Sequence, residues 1–222
     1  MQTSQIFIVE DIISAQLCDR ALAIAGDTPF IDGASTAGRW EGQHKHNAQA
    51  RREPIEPLCE AVLDELLRNR TLCNRTLPHE AVQPMLNRYR AGDFYGPHED
   101  SPIQSGIRAD LSYTLFLSEP SAYEGGELVL GDGPTAMRVK PPSRALVCYP
   151  SGTLHQVLPV TRGERLALVG WMQSVVRDPA RRELLCELRE TTDAIAARGD
   201  AQPDVASLSR VYGGLLRSWA FA

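Results

Sequence analysis

Cysteine is scarce and unpaired in this 222-residue chain. Cys18, Cys59, Cys73, Cys148 and Cys186 are odd in number, and no two form a C-x-x-C pair. That argues against a disulfide framework and against a zinc ribbon; small buried thiols in a reducing compartment are expected. An excess of positive charge is also missing. Lys and Arg total 23 against 28 Asp and Glu, for a net charge of −5. Without a basic footprint, nucleic acid is not an expected partner. No apolar run approaches the roughly 20 residues that span a bilayer, so no membrane partner is expected. The first residues, MQTSQIFIVEDIIS, lack the basic start and long apolar stretch of a secretory signal. A cytoplasmic location is the expectation. Internal repeats and low-complexity tracts are absent as well.

The 43% hydrophobic content can fill a core, and the length suits one domain, alone or with an appendage. Three stretches differ in pattern. Residues 1–77 read as an α/β support region. IFIVE is a short strand, Ser14 is a candidate N-cap, and a second helix follows Pro54 with Leu58, Val62 and Leu66 at i+4 spacing. Residues 78–177 are strand-rich. Strands are expected near 82–90, 94–98, 108–118, 126–130, 136–139, 145–149, 154–160 and 165–174. Gly92, Gly96, Gly125-Gly126, Ser151-Gly152 and Arg162-Gly163 mark turns among them. Eight short strands punctuated in this way predict a mainly β fold with flanking helices, its core a double-stranded β-helix or jelly-roll. Residues 178–222 switch to helical period. Asp178-Pro179 starts one helix and Pro203 another. Leu208, Val211, Tyr212, Leu215, Leu216 and Trp219 form one apolar stripe. Packing on the barrel is expected; a homodimer interface is the alternative.

Within the strand-rich stretch, His98-Glu99-Asp100 is followed by His155 and then Arg165. In a strand, residues two apart point to one side, so His98 and Asp100 can face one metal. His155 would arrive from a later strand. Two histidines and one carboxylate are the facial triad that holds non-haem Fe(II) with open positions. Arg165, one strand further, can grip a carboxylate through two hydrogen bonds, and 2-oxoglutarate has such a carboxylate. An H-x-D tripeptide also occurs by chance. Its neighbours raise its weight: Tyr89 to Pro97 reads as strand, turn and second strand, and 108–118 alternates with period two.

The runs NRYRAGDFYGPHED, RADLSYTLFLSEPSAYEGGELVL and YPSGTLHQVLPVTRGERLALVGWMQS resemble the bacterial PKHD-type hydroxylases. These are Fe(II)/2-oxoglutarate oxygenases related to prolyl 4-hydroxylases. The resemblance spans roughly residues 78 to 190. It implies that His98, Asp100 and His155 are iron ligands, that Arg165 binds the distal carboxylate of 2-oxoglutarate, and that Tyr89 helps to hold it. It further implies hydroxylation of an unactivated C–H bond with O2, releasing succinate and CO2, with L-ascorbate as a rescuing reductant. The substrate stays open between a peptidyl proline, an amino acid and an iron-chelating metabolite. The chain departs from the family at His46, where Asn is more frequent, and at Ser143-Arg144, where a Gly-containing turn is common. Two other functional classes stand beside it: a protein that binds iron or 2-oxoglutarate as a sensor, without turnover, and a helical interaction module carrying a degenerate barrel.

Other residues carry plainer expectations. His44 and His46 are a second i,i+2 pair, expected in a polar loop over the cavity. His79 is expected in a surface turn. Glu127 is expected to make a structural hydrogen bond at a strand entry. Arg108 either supports the metal-side strand or meets substrate.

Overall fold

The computed structural model describes residues 5–36, 44–199 and 202–221. The N-terminal third supplies β1 (Phe7–Val9), α1 (Ala15–Asp27), β2 (Phe30–Asp32), β3 (Lys45–His46), β4 (Ala48–Ala50), α2 (Arg52–Arg68) and α3 (Arg70–Thr76). Next come β5 (Pro78–Ala81), β6 (Met85–Arg90), β7 (Phe94–His98), β8 (Ile103–Gln104), β9 (Ile107–Arg108) and β10 (Leu111–Phe116). They are followed by β11 (Tyr123–Gly125), β12 (Leu128–Leu130), β13 (Met137–Val139), β14 (Leu146–Pro150), β15 (His155–Val157) and β16 (Val160–Ser174). Helices α4 (Pro179–Ala196) and α5 (Gln202–Trp219) end the chain. No helix among the described residues is long and apolar enough to cross a membrane.

The major sheet runs β1-β14-β10-β16-β6-β4-β2, with β5 and β11 also paired to β16; the minor sheet runs β13-β12-β15-β7-β3. Every pairing is antiparallel. Strands β1, β2 and β4, all from residues 1–77, extend the sheet that the central residues build.

Two main cores flank β10, which buries both of its faces, and a small third cluster joins Val82, Ala109 and Trp171. Leu111, Tyr113 and Leu115 pack with Leu17, Leu58, Val62, Leu66 and Leu72 of the helices. On the opposite side Phe116 joins Tyr89, Leu128, Tyr149 and Val157 between the two sheets. The helices therefore cover the outside of the major sheet and leave the space between the sheets for the site.

Local signals account for the helix starts. The Ser14 hydroxyl accepts from Leu17 N at 3.3 Å and donates to Glu65 at 2.8 Å, tying α1 to α2. Asp178 accepts from the N–H groups of Ala180 and Arg181. Helix α3 was not expected from the pattern; Asn69 caps it through Leu72 N. At the departure from the family turn, Arg144 has φ 66°, a left-handed conformation that glycine adopts freely. Its guanidinium pairs with Asp11, and its carbonyl accepts from Ile12 N. Those contacts hold the N-terminal segment against the β13–β14 connection.

Two expectations need correction. Arg162-Gly163 is not a turn: β16 runs through it and pairs Gly163 with Tyr123. Gly163 takes φ +78°, and an added Cβ would lie 2.1 Å from the Ala122 carbonyl oxygen. The glycine marks a close approach of two backbones. The α5 stripe, second, does not pack on the barrel. It lies along α4, where Arg181 and Arg189 set their guanidinium groups over Trp219 and Tyr212. A guanidinium can lie on an aromatic face and still keep its N–H groups in water, so α5 can remain half-exposed. No α5 residue is fully buried, and Val211 stays 52% exposed.

Leu58 on α2 is fully buried in the helix-side core. Leu58→Ala is expected to cost about 2–5 kcal/mol. A urea titration checks it, the midpoint falling with an unchanged slope.

Candidate metal centre

His98 ends β7, and Asp100 follows two residues later. His155 opens β15, and the two strands pair in the register His155↔His98. The imidazole centroids lie 4.1 Å apart. His98 Nε2 is 4.0 Å from Asp100 Oδ1, and His155 Nε2 is 3.8 Å from Asp100 Oδ2. One ligand atom from each residue lies within 4.8 Å of the other two. Two bonds of roughly 2.0–2.2 Å can meet across the 3.8 and 4.0 Å separations. Glu99, between the two ligands, is exposed, as a period of two requires.

The surrounding hydrogen bonds prepare these atoms. His98 Nδ1 is 2.8 Å from the Gly96 carbonyl, and His155 Nδ1 is 2.9 Å from the Thr153 carbonyl. A carbonyl only accepts, so each Nδ1 carries the proton and each Nε2 keeps its lone pair. Ser112 Oγ donates to Asp100 Oδ2 at 2.6 Å. The Asp100 N–H donates to the Ser151 carbonyl.

A bulge shapes this end of β7. His155 opposes His98, yet Val157 opposes Tyr95, so three residue steps face two. The extra residue turns Tyr95 and His98 to the same face, where their rings stack at 3.6 Å. Gly96 lies in the bulge, and a Cβ there would come within 3.0 Å of His44 Cβ.

The triad opens into a cavity of about 320 Å³ that also includes Lys45, Tyr89, Thr114, Arg165 and Trp171. Arg165 pairs across strands with Tyr89. It is 1% exposed, and its Nε and Nη2 have no hydrogen-bond partner. Its Cζ lies 4.8 Å from the Phe116 ring centroid and 5.2 Å from that of Tyr89. A buried guanidinium with unmatched N–H groups calls for an anion. Gly126, at φ +67°, makes room for it: a Cβ there would sit 3.2 Å from Arg165 Cδ. Burial pushes the Tyr89 phenol up to about 12, with Arg165 opposing the shift. The phenol therefore stays protonated at neutral pH.

The remaining singled-out residues lie outside the cavity. His46 is exposed and its ring lies 4.7 Å from that of Phe94; His44 is exposed behind Gly96. Arg108 makes a two-pronged contact with Asp110 at 2.7 and 2.8 Å and also donates to the Ser174 carbonyl. Its place is structural. His79 lies on β5 instead of in a turn, edge-on to Phe221. The Glu127 carbonyl accepts from Leu158 N where β12 begins. Sequence reasoning passed over Ser112 and Lys45. Period two on β10 would have turned Ser112 toward the triad, and period two in His44-Lys45-His46 would have turned Lys45 inward as the histidines face out.

Burial pushes His98 down to about 4, and the neighbouring His155 adds to the shift. The folded value lies below the unfolded one of 6.5. In metal-free protein this group costs nothing above about pH 6.5. As pH falls from there to about 4 the unfolded chain takes up the proton first, so stability declines. Melting temperatures in EDTA across this range should fall, and His98→Gln should flatten the decline. An equal slope in both proteins would refute the assignment.

Residues 84–173 match the 2OG-Fe(II) oxygenase superfamily. The chain is 39% identical, over 96% of its length and 98% of the relative's, to a PKHD-type hydroxylase of Nitrobacter winogradskyi. It is 41% identical to one from Shewanella baltica, over 86% of this chain and 88% of the relative. Among solved structures, a Pseudomonas putida prolyl-4-hydroxylase superposes with TM-score 0.54 at 24% identity, covering 77% of this chain and 92% of the other. A Trichoplax adhaerens prolyl hydroxylase, solved with a peptide fragment of hypoxia inducible factor, gives 0.57 at 18% identity, covering 77% and 84%. These two likenesses bear on the fold, which is the double-stranded β-helix. With its HxD…H facial triad, the chain belongs to the PKHD-type hydroxylases, Fe(II)- and 2-oxoglutarate-dependent dioxygenases of the 2OG-Fe(II) oxygenase superfamily.

Proposed function

We propose that His98, Asp100 and His155 hold the Fe(II), that Arg165 and Tyr89 hold 2-oxoglutarate, and that a small-molecule or peptidyl substrate is hydroxylated beside them. The observation that carries this reading is Arg165, a buried cation with unmatched donors in the same cavity as the triad. Two imidazoles and a carboxylate suit non-haem Fe(II). When bound, the iron with 2-oxoglutarate and O2 supplies the oxidising chemistry, with succinate and CO2 as co-products.

The chain's own residues bind and orient. Arg165 offers a fixed fork to the distal carboxylate, between Phe116 and Tyr89. Tyr89 offers a phenol that keeps its proton. Ser112 and the two backbone carbonyls fix the ligand orientations, and buried apolar walls keep water from the reacting centre. Peptidyl proline, a free amino acid and an iron-chelating metabolite are the substrate classes in view, and ascorbate is the reductant expected to restore oxidised iron. In this reading residues 1–77 and 178–222 support a core of 78–177. Five free cysteines, four of them buried, favour a reducing compartment and hence the cytoplasm.

Succinate release from Fe(II)-loaded protein tests turnover against a sensor that binds without reaction. His98→Ala, Asp100→Ala and His155→Ala should each abolish it. Arg165→Ala leaves a carboxylate unmatched, at a cost of about 2–5 kcal/mol, so the KM for 2-oxoglutarate should rise ~30-fold or more. Arg165→Lys should raise it less, since the charge remains and the planar fork is lost. Gly126→Ala should raise the same KM by crowding Arg165. An unchanged KM in Arg165→Ala would sink the co-substrate assignment.

A homodimer through α5 is a second element of this reading, favoured by the exposure of Val211. Sedimentation of the parent should then give a dimer, and Val211→Asp a monomer with the same melting temperature at low protein concentration. A parent that sediments as a monomer at every concentration removes the dimer.

A further inference from the structure

Two amides are buried beside Arg165. Asn87 is 3% exposed and Asn47 is 6% exposed. Asn87 lies on β6 two residues before Tyr89, so both side chains face the space between the sheets, and both line the metal cavity. Its cross-strand partner on β16 is Ala167, two residues beyond Arg165. Asn87 is thus the next polar group on that wall after Tyr89 and Arg165. Asn47 is the single residue between β3, which pairs with β7 in the minor sheet, and β4, which pairs with β6 in the major sheet. Where the chain crosses between the sheets, Asn47 Nδ2 donates to Asn87 Oδ1 at 3.4 Å. Gly33 leaves the room for this: a Cβ there would lie 1.8 Å from Asn47 Oδ1, and the Gly33 N–H donates to the Asn47 carbonyl at 2.8 Å.

An asparagine can turn either its carbonyl or its NH2 toward a cavity, and the two have opposite meanings for an anion. With Oδ1 held by Asn47, the NH2 is the end that Asn87 has to spend, and it donates to nothing among the described residues. A pair that served stability alone would close its polar ends; here Asn47 Oδ1 is also buried without a partner. The Asn47 side chain further favours the ionised form of Tyr89 by hydrogen bonding. A donor at the phenol oxygen leaves the phenol hydrogen for the cavity. The count of donors then meets the chemistry of a carboxylate, whose two oxygens carry about four lone-pair sites. Arg165 Nε and Nη2 match two of them and the Tyr89 phenol a third. Tyr123 has an unmatched phenol as well, but it does not line the cavity; Asn87 does.

We propose that Asn87 is a co-substrate-binding residue whose Nδ2 supplies the fourth donor to the distal carboxylate of 2-oxoglutarate, and that Asn47 is a positioning residue that turns the Asn87 amide and the Tyr89 phenol toward that carboxylate. The N-terminal region then takes part in recognising the co-substrate as well as supporting the sheet. This inference rests on the reading that Arg165 holds 2-oxoglutarate.

The test is a calorimetric titration of full-length protein loaded with Mn(II) in place of Fe(II), so that binding is read without turnover. The two ligands are 2-oxoglutarate and 2-oxovalerate, which keeps the keto acid and has a methyl group where the distal carboxylate was. Asn87→Ala should raise the Kd for 2-oxoglutarate roughly tenfold and leave that for 2-oxovalerate unchanged. Asn87→Asp has the same shape, still accepts from Asn47 and sets a carboxylate against a carboxylate, so its loss should be larger; it carries the test if Asn87→Ala does not fold. Asn47→Ala should show the same selectivity for 2-oxoglutarate. Combined with Asn87→Ala it should cost less than the product of the two single effects, because one residue acts partly through the other. Equal weakening of both ligands overturns the inference, since the amides would then act through the fold alone. Arg165→Ala is titrated beside them. If it binds 2-oxoglutarate like the parent, the underlying reading fails and this inference with it; if it weakens binding while Asn87→Ala does not, this inference fails alone.

Discussion

A slip of one residue between β7 and β15 would turn His98 and His155 to opposite faces of the minor sheet. The observed register sets them opposite each other on the inner face, and the rest of the site depends on it. The bulge at Gly96-Pro97 then adds Tyr95 to that face, and Tyr95 sets the direction of its own cross-strand partner, Lys45. Ser112 holds Asp100, and the Gly96 and Thr153 carbonyls hold the Nδ1 atoms of the two histidines. Their value is that they leave the three ligand side chains one common arrangement.

The division of labour between the two cores explains how such a site is tolerated. Between the helices and the major sheet, the core is almost wholly aliphatic and contributes cohesion. Between the sheets, aromatic walls surround a buried guanidinium, buried imidazoles and a half-buried carboxylate. Desolvating such groups is costly, and the orphaned donors of Arg165 add to the cost. Strand β10 links the two regions, with Leu115 on one face and Phe116 on the other. Stability is built on the outside of the sheet and expended on the inside, where the chemistry is.

The strands that carry the triad and Arg165 were legible in the chain because glycine or proline lies within or beside each, and because 108–118 between them alternates in polarity. Shorter pieces were not. Strands β2 and β4 have three residues each and no alternation long enough to recognise, yet both extend the major sheet. Gly163 looks like a turn residue by composition and is a close backbone contact in fact. The α5 stripe was readable as apolar, but what covers it was not, since arginine guanidinium groups on α4 do part of that covering. Pattern registers which residues avoid water, and long charged side chains can shelter them as well as apolar ones can.

Residue types and their order determined the donor set by themselves. His98, Asp100 and His155 offer ligands of one chemical kind whatever the fold, Arg165 has a permanent charge, and the lack of a basic excess or a long apolar run is a property of composition. The family likeness resides there too. Tertiary structure alone decided which atoms face one another. It put His155 opposite His98 across 57 residues of chain, left two donors of the buried Arg165 unmatched, committed Arg108 to Asp110, and turned Lys45 inward while His44 and His46 faced out. The physical reason is that cross-strand register and bulges are set by the summed fit of both sheets, to which distant segments contribute. No local window of sequence contains that sum.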